Sequence, residues 1–478
     1  MKKLTVLILV FIMLFTCTDG LFAEEGAYKD TLRVGISYGS KSEVWFSSDS
    51  EIYLTDTLYN LYIGTVPAGV KFKISVENGL ISSDYFYPTA SPVLLASGGI
   101  ISCNDNAYRG MFEVANKNNT LTIVNVVNTE DYLMGVLGKE MSPSWPIEAL
   151  KAQAVCARNF AIKHIGKHSS YNFDICATQD CQVYTGINGE GERTRQAVNE
   201  TAGVLVEYNG KVVPLYYFSC DGGYTEDSEN VWVTAEGYLR GKKDIYEKEE
   251  YATRYNWEKT YKKEEIEKIL TERGVDIGNL KDIRIDEISR NNGVIRLTFV
   301  GDRGEKIVTK SSVRSYLSLN SNAFEIRKHT DEPVYKEETE EKTVYVLTSE
   351  GTVSVTNPRY ALSAQGLYEI EYGTRTVEEL ADEYAYYTFN GHGWGHLVGM
   401  SQWGAYSMAV EGYTYKDILN FYFTDITIKE TGFGWYEEAD EAASSDEMPE
   451  WLMPKESWED EEENDEAYDD TQWSDTGL

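Results

Sequence analysis

Basic charge is what this 478-residue chain has least of for its size: 44 Lys and Arg stand against 78 Asp and Glu, a formal net charge of −34. A nucleic-acid partner wants a basic face, so that class is excluded. Long apolar runs are also scarce, and after Ala23 nothing approaches the ~20 apolar residues of a spanning helix. That part of the chain is therefore expected to be soluble. Residues 1–23 read differently: Lys2 and Lys3, an apolar run from Leu4 to Phe15, then small and polar residues to Ala23 follow the plan of a secretory signal. The expected location is extracytoplasmic, in the cell envelope or secreted. A membrane contact would run only through this N-terminus, kept as an uncleaved anchor or lipidated at Cys17. Cysteine is sparse as well, six in all, and losing Cys17 with the signal leaves Cys103, Cys156, Cys176, Cys181 and Cys220, an odd set that cannot all pair.

What is abundant is aromatic: 13% of residues, with 35 Tyr, which marks a folded protein. The acidity is unevenly placed. Residues 437–478 hold eighteen Asp or Glu against the single Lys455, half of the net charge. Such a block cannot bury enough surface to offset its ordering entropy, so a disordered acidic tail is expected. A shorter acidic stretch at 331–342 resembles a linker or surface insertion.

From Thr31 to Val127 short β-type runs alternate with turns (LRVGISY, EVWFSS, EIYLTD, KFKISV, LTIVNVV), a β-rich N-terminal part over 31–127. Thr129 can then cap a helix with Tyr132, Leu133, Val136 and Leu137 on one stripe, stopped by Pro143 just after Glu140. Pro146 stands as a first helical residue with Ser144 as its cap, and the segment 147–165 runs about 28 Å at helical rise without Gly or Pro. Its first half is small or apolar on most faces, so it should be buried. Asn209-Gly210 marks a hairpin within 204–219. A charged helix at Lys263–Arg273, strands VIRLTFV and KIVTK, and helices near 405–410 and 416–422 complete the pattern. The fold class is α+β: a β-rich N-terminal part, then a mixed domain over 128–428 with a long buried helix at 147–165 lining a cleft.

Three segments stand out together: EDYLMGVLGKEMSPSWPIEALKAQAVCARNFA (Glu130–Ala161), FDICATQDCQVYTG (Phe173–Gly186) and GHGWGHLVGMSQWGAYSMA (Gly391–Ala409). With YFSCDGGYTEDSENVW (Tyr217–Trp232) and the TAG run ending at Gly203, this ordered set resembles the stage II sporulation protein D family, which includes the LytB amidase enhancer. The resemblance spans roughly Leu32 to Ile428. It implies peptidoglycan remodelling: a lytic transglycosylase acting on glycan strands, with sporulation as one setting, or a non-catalytic glycan-binding module that stimulates a cell-wall amidase. It implies Glu140 as the catalytic acid. The sequence departs from the family in its proline, shifted one place in Glu140-Met141-Ser142-Pro143, and in Cys156 and Asn159, where Ala and Thr are commoner.

Splitting a glycosidic bond needs an acid that keeps its proton near neutral pH, and hence an apolar site that raises its pKa. Glu140 has Leu137, Met141 and Trp145 as chain neighbours. Most glycosidases need a second carboxylate, but in a lytic enzyme the sugar's own C6 hydroxyl attacks C1, and one Glu serves as acid and then base. Without the resemblance, a solvated helix-end Glu would be the default reading.

Lys151, Gln153 and Arg158 match the family's helix and are candidates for holding polar groups of the glycan. The alternative is structural, a Glu148–Lys151 bridge and a buried Arg tied to backbone carbonyls. Either cation on Glu140 itself would lower its pKa, so they should sit across the cleft from it. The loop from His392 to Trp403 joins glycines, which let backbone approach a ligand, to indoles that stack on sugar faces; His392, Trp394, His396, Ser401 and Gln402 are its candidate substrate contacts. Its two His lack the helical geometry of a zinc pair, so no metal is expected there. His168, Cys176 and Cys181 could bind zinc, and a metal is associated with this part of the family; a Cys176–Cys181 disulfide or two free thiols stand as equal alternatives. The proposed glycan chemistry itself requires no cofactor.

Overall fold

The computed structural model describes residues 31–330 and 384–430, with only the backbone of six strands between 335 and 378. The described residues fall into two compact units, one of 31–255 with 394–430 and one lying between 256 and 393. The segment 128–428, read from sequence as one domain, thus divides.

In the first unit, the β-type runs form two sheets. A seven-stranded sheet carries Thr31–Lys41 between Thr120–Asn128 and Ile175–Cys176, followed outward by Met111–Lys117, Val93–Ser97, Ile52–Asp56 and Leu61–Val66; a six-stranded sheet is centred on Glu43–Ser48 and Phe72–Glu77. Alternation explains the faces: Val44 and Phe46 are buried while Glu43 and Trp45 are exposed. The central strands 111–117 and 120–128 are buried nearly throughout their middles, since helices and sheet cover both sides.

The last central strand runs directly into the helix Thr129–Glu140, capped by Asn128, whose side chain accepts the Glu130 N–H. The cap therefore lies one residue earlier than the sequence suggested, because Thr129 already has helical geometry. This helix lies tight against the turn Gly186–Gly189: a Cβ on Gly138 would come within 2.2 Å of the Gly189 carbonyl. The long helix spans Ile147–Lys163, with Pro146 as N-cap and no side-chain cap; Ser144 instead pairs with the Ser142 hydroxyl. From Ala149 to Ala161 only Lys151 escapes burial, and each Leu- or Val-sized chain so enclosed contributes about 1.5–3 kcal/mol. The hairpin turns at Asn209 and Gly210, both at positive φ (52° and 74°), as a two-residue turn of this hand requires.

The second unit has its own core around Trp257, Ile266, Leu297, Phe299, Phe324 and Phe389. Two three-stranded sheets and the helices Lys263–Glu272 and Ser311–Tyr316 enclose it. Within the acidic stretch 331–342, Tyr335–Thr339 is a strand paired with Thr374–Glu378. The expected signal (1–23) and acidic tail (437–478) lie outside the described residues. Among those described, no helix is long and apolar enough to cross a membrane.

Candidate active site

Glu140 closes the last turn of its helix, and buried Met141 caps it in extended conformation, its N–H reaching the Leu137 carbonyl. The stop is local in origin, since Pro143 disfavours helical geometry at Ser142. Glu140 is half-buried as a residue, but its carboxyl end is drawn inward. There the Tyr217 hydroxyl, the Gln402 side chain and the Val183 backbone hydrogen-bond it. Burial outweighs these bonds and pushes the carboxyl up from 4.5 to about 7. No Lys or Arg is among the groups that shift it.

Three chain segments converge to make that pocket. Tyr217–Phe218 and Met400–Ser401 pair as a short parallel ladder, which sets Tyr217 opposite Met400 and leaves Gln402 as the next residue, at the start of the helix Gln402–Val410. Ser401 caps this helix by accepting the Gly404 N–H. The approach of the strands depends on Gly399, at φ 88°, where a Cβ would lie 2.2 Å from the Tyr216 carbonyl. Gln182 ties the third segment in. Its amide donates to the Tyr217 hydroxyl (3.0 Å) and the Ala157 carbonyl (3.4 Å), and its oxygen accepts from buried Tyr132 (3.1 Å). The long helix backs the ladder, with Cys156 Sγ 3.9 Å from Met400 Sδ.

Five residues after Glu140, Trp145 packs against Trp403 (ring centroids 4.6 Å) and Tyr406 (5.1 Å), and Tyr406 also meets Tyr251 (5.5 Å). Trp145, Trp403 and Tyr406 are all partly exposed. Flat, half-exposed rings of this kind suit the apolar faces of sugars.

The helix cations are committed elsewhere. Arg158, 1% exposed, makes a two-pronged pair with Glu130 (2.7 and 2.6 Å) and donates to the Val204 carbonyl (3.3 Å). Lys151 makes the bridge to Glu148 (2.8 Å) and a second to Glu200 (2.6 Å). Gln153 is fully buried, and neither polar atom of its amide has a hydrogen-bond partner among the described residues.

The glycine-rich loop splits between the units. His392 ends a strand of the second unit, with Nδ1 2.7 Å from Asn256 Oδ1. Trp394 belongs to the first, its backbone paired with Cys220 and its ring under the Arg254 guanidinium at 4.2 Å. His396 is 3% exposed among Phe218 and Trp232, and its Nδ1 accepts the Val398 N–H (3.1 Å). Ser401 and Gln402 are buried, the first bonded to Glu247 and the second to Glu140.

The remaining candidates do gather. His168 Nε2 lies 3.4 Å from Cys181 Sγ and 3.1 Å from Asp180 Oδ2, while Cys176 Sγ is 3.7 Å from that same oxygen. Both thiols are free. One donor atom from each of the four residues falls within 4.8 Å of the others, and tetrahedral edges around zinc at 2.0–2.3 Å are about 3.3–3.8 Å. Two sulfurs, an imidazole and a carboxylate thus fit zinc, which would serve there to hold the 168–181 loop. The Cys181 thiol's hydrogen bond pulls Cys176 down to about 5.

Sequence reasoning did not single out Tyr217, Gln182 or Asp180. All three lie inside the segments that stood out, and only the fold gives them their partners.

A family profile described as stage II sporulation protein matches residues 117–208, and a second, for a domain of unknown function, matches 234–353. The chain is 30% identical over 326 residues to an uncharacterized protein of Brachyspira hyodysenteriae, covering 68% of this chain and 73% of that one. It is 26% identical over 317 residues to the stage II sporulation protein D of Bacillus subtilis, covering 63% and 74%. To the amidase enhancer of Bacillus subtilis it is 29% identical over 298 residues, covering 62% of this chain but only 40% of that protein.

Proposed function

The chain belongs to the stage II sporulation protein D family, and from that premise we propose that it is a peptidoglycan lytic transglycosylase of the cell envelope with Glu140 as its single acid and base. One observation carries the reading: a carboxyl enclosed by neutral donors and pushed up to about 7 lies five residues before Trp145, which belongs to a partly exposed aromatic group. At that value a large fraction of the groups hold a proton at neutral pH, and the conjugate base is strong enough to take one back.

The steps balance on this one residue. Protonated Glu140 gives its proton to the glycosidic oxygen as the C1–O bond breaks. The muramyl C6 hydroxyl then attacks C1, and Glu140 takes the hydroxyl proton, leaving a 1,6-anhydro ring and a free hydroxyl on the departing sugar. No water and no second carboxylate enters. Tyr217, Gln402 and the Val183 N–H steady the ionised form between the two transfers. Trp145, Trp403 and Tyr406 stack on the strand.

A second reading has its own support in the relative named amidase enhancer: the chain would hold glycan and stimulate a cell-wall amidase without cutting. Purified wild type and Glu140→Gln, incubated with intact and peptide-stripped glycan, separate the two. Anhydro-muramyl ends from wild type alone, seen by mass spectrometry, support the enzyme. Their absence on both substrates with wild type rejects it.

A further inference from the structure

A second group of acids in the first unit takes no part in this chemistry. Asp221, Asp244 and Glu247 are 1%, 4% and 5% exposed, and one carboxylate oxygen from each lies within 4.8 Å of the others. Most of their oxygens are accounted for. Glu247 accepts the Asp221 N–H (3.1 and 3.0 Å), the Gly222 N–H (2.9 Å), the Cys220 thiol (2.8 Å) and the Ser401 hydroxyl. Asp244 accepts the Tyr246 N–H (2.7 Å), the Glu247 N–H (3.0 Å) and the Tyr422 hydroxyl. Asp221 Oδ1 accepts the Gly223 N–H (2.7 Å), but its Oδ2, fully enclosed, meets no donor. Lys242 feels Asp244, yet its ammonium is bonded to the Phe421 carbonyl. Among the described residues no cation forms an ion pair with any of the three.

Three buried carboxylates without a counter-charge, one of them with an enclosed oxygen that no donor meets, lack what a buried charge requires. We propose that Asp221, Asp244 and Glu247 hold one hard divalent cation of the calcium class. The donors are all oxygen, which excludes soft metals as the preferred occupant. Ligand atoms up to 4.8 Å apart suit Ca²⁺–O distances of about 2.3–2.6 Å. Mg²⁺ demands tighter octahedral geometry and keeps several waters, for which an enclosed site has little room. The position gives the ion a structural consequence. Glu247 accepts from Ser401, the cap of the helix whose first residue, Gln402, reaches Glu140. A cation here would fasten the 221–247 segment to that helix start.

The rival occupant is a proton shared between Asp221 and Asp244, and the test separates the two. The purified chain, freed of divalent ions by chelation and dialysis, is titrated with CaCl₂ and separately with MgCl₂ by calorimetry, and melted with each. The proposal predicts one Ca²⁺ per chain beyond any weak binding by the acidic run 437–478, with a melting midpoint raised by about 3 °C or more. Asp221→Asn, which leaves that run intact, should lose both effects. Should this variant fail to fold, Asp244→Asn and the wild-type melt carry the comparison. A wild-type midpoint unmoved by Ca²⁺ overturns the proposal, as does a folded Asp221→Asn that binds Ca²⁺ like wild type. Preference for Mg²⁺ overturns the calcium assignment.

Discussion

Glu140 and Glu229 carry the same side chain in the same unit and hold their protons at opposite ends of the scale. The Arg240 guanidinium hydrogen-bonds Glu229 and pulls it down to about 2; Glu140, enclosed and met only by neutral donors, rises to about 7. Glu130 resembles Glu229 in geometry, gripped by both arms of Arg158. The two acids differ in both things that set a carboxyl's proton affinity: Glu229 has a cation and a side chain 37% exposed, and Glu140 has an enclosed carboxyl and no cation. What distinguishes Glu140 is burial without a cation, and the cations of the long helix are occupied: Arg158 with Glu130, and Lys151 with Glu148 and Glu200.

The largest effect expected from breaking that contrast is on activity. Glu140→Gln keeps the size and shape of the side chain but trades one accepting oxygen for an NH2 donor and cannot donate and recover a proton, so glycan cleavage should fall by about 10³-fold or more while the melting curve at pH 6 stays cooperative. A loss under tenfold in the rate of anhydro-end formation would remove Glu140 from the mechanism. Next in size, Arg158→Ala strips Glu130 of its partner and leaves a carbonyl and a carboxylate short of donors. It should cost about 3 kcal/mol in denaturant unfolding, and a cost below about 1 kcal/mol would mean that the pair is dispensable.

A smaller effect follows from linkage. The folded-state pKa of Glu140, about 7, exceeds the ordinary 4.5 of the unfolded chain. Between those values the folded state binds more protons, so this group's contribution to stability falls as pH rises from about 4.5 through 7. The loss is on the order of 2–3 kcal/mol at pH 8. Glu140→Gln, having no proton to lose, should equal wild type near pH 4.5 and exceed it in stability at pH 8. Equal stability of the two proteins at both pH values would contradict the raised pKa.

Local features were legible in the chain: the helix stopped before Pro143, the long helix, the Asn209-Gly210 turn and the β alternation of 31–127. All rest on periodicity or on residues with restricted backbones, and these act within a few positions. The immediate environment of Glu140 was not legible. Tyr217, Gln402 and Val183 come from segments separated by up to 219 residues (183 to 402), and no local pattern says that Tyr217–Phe218 will pair with Met400–Ser401. The division at 255/256 and 393/394 was hidden for the same reason, since the second unit is an insertion whose ends meet in one sheet, Asn256 opposite His392. Asp180 escaped notice as a fourth donor because an isolated acid in a loop carries no spacing signal.

The proton on Glu140 can be watched directly. Infrared difference spectra between wild type and Glu140→Gln, recorded from pH 4 to 9, isolate the C=O stretch of this one protonated carboxyl. The account predicts a band present at pH 5, half lost near pH 7 and gone by pH 9. A band already absent at pH 6 would contradict it.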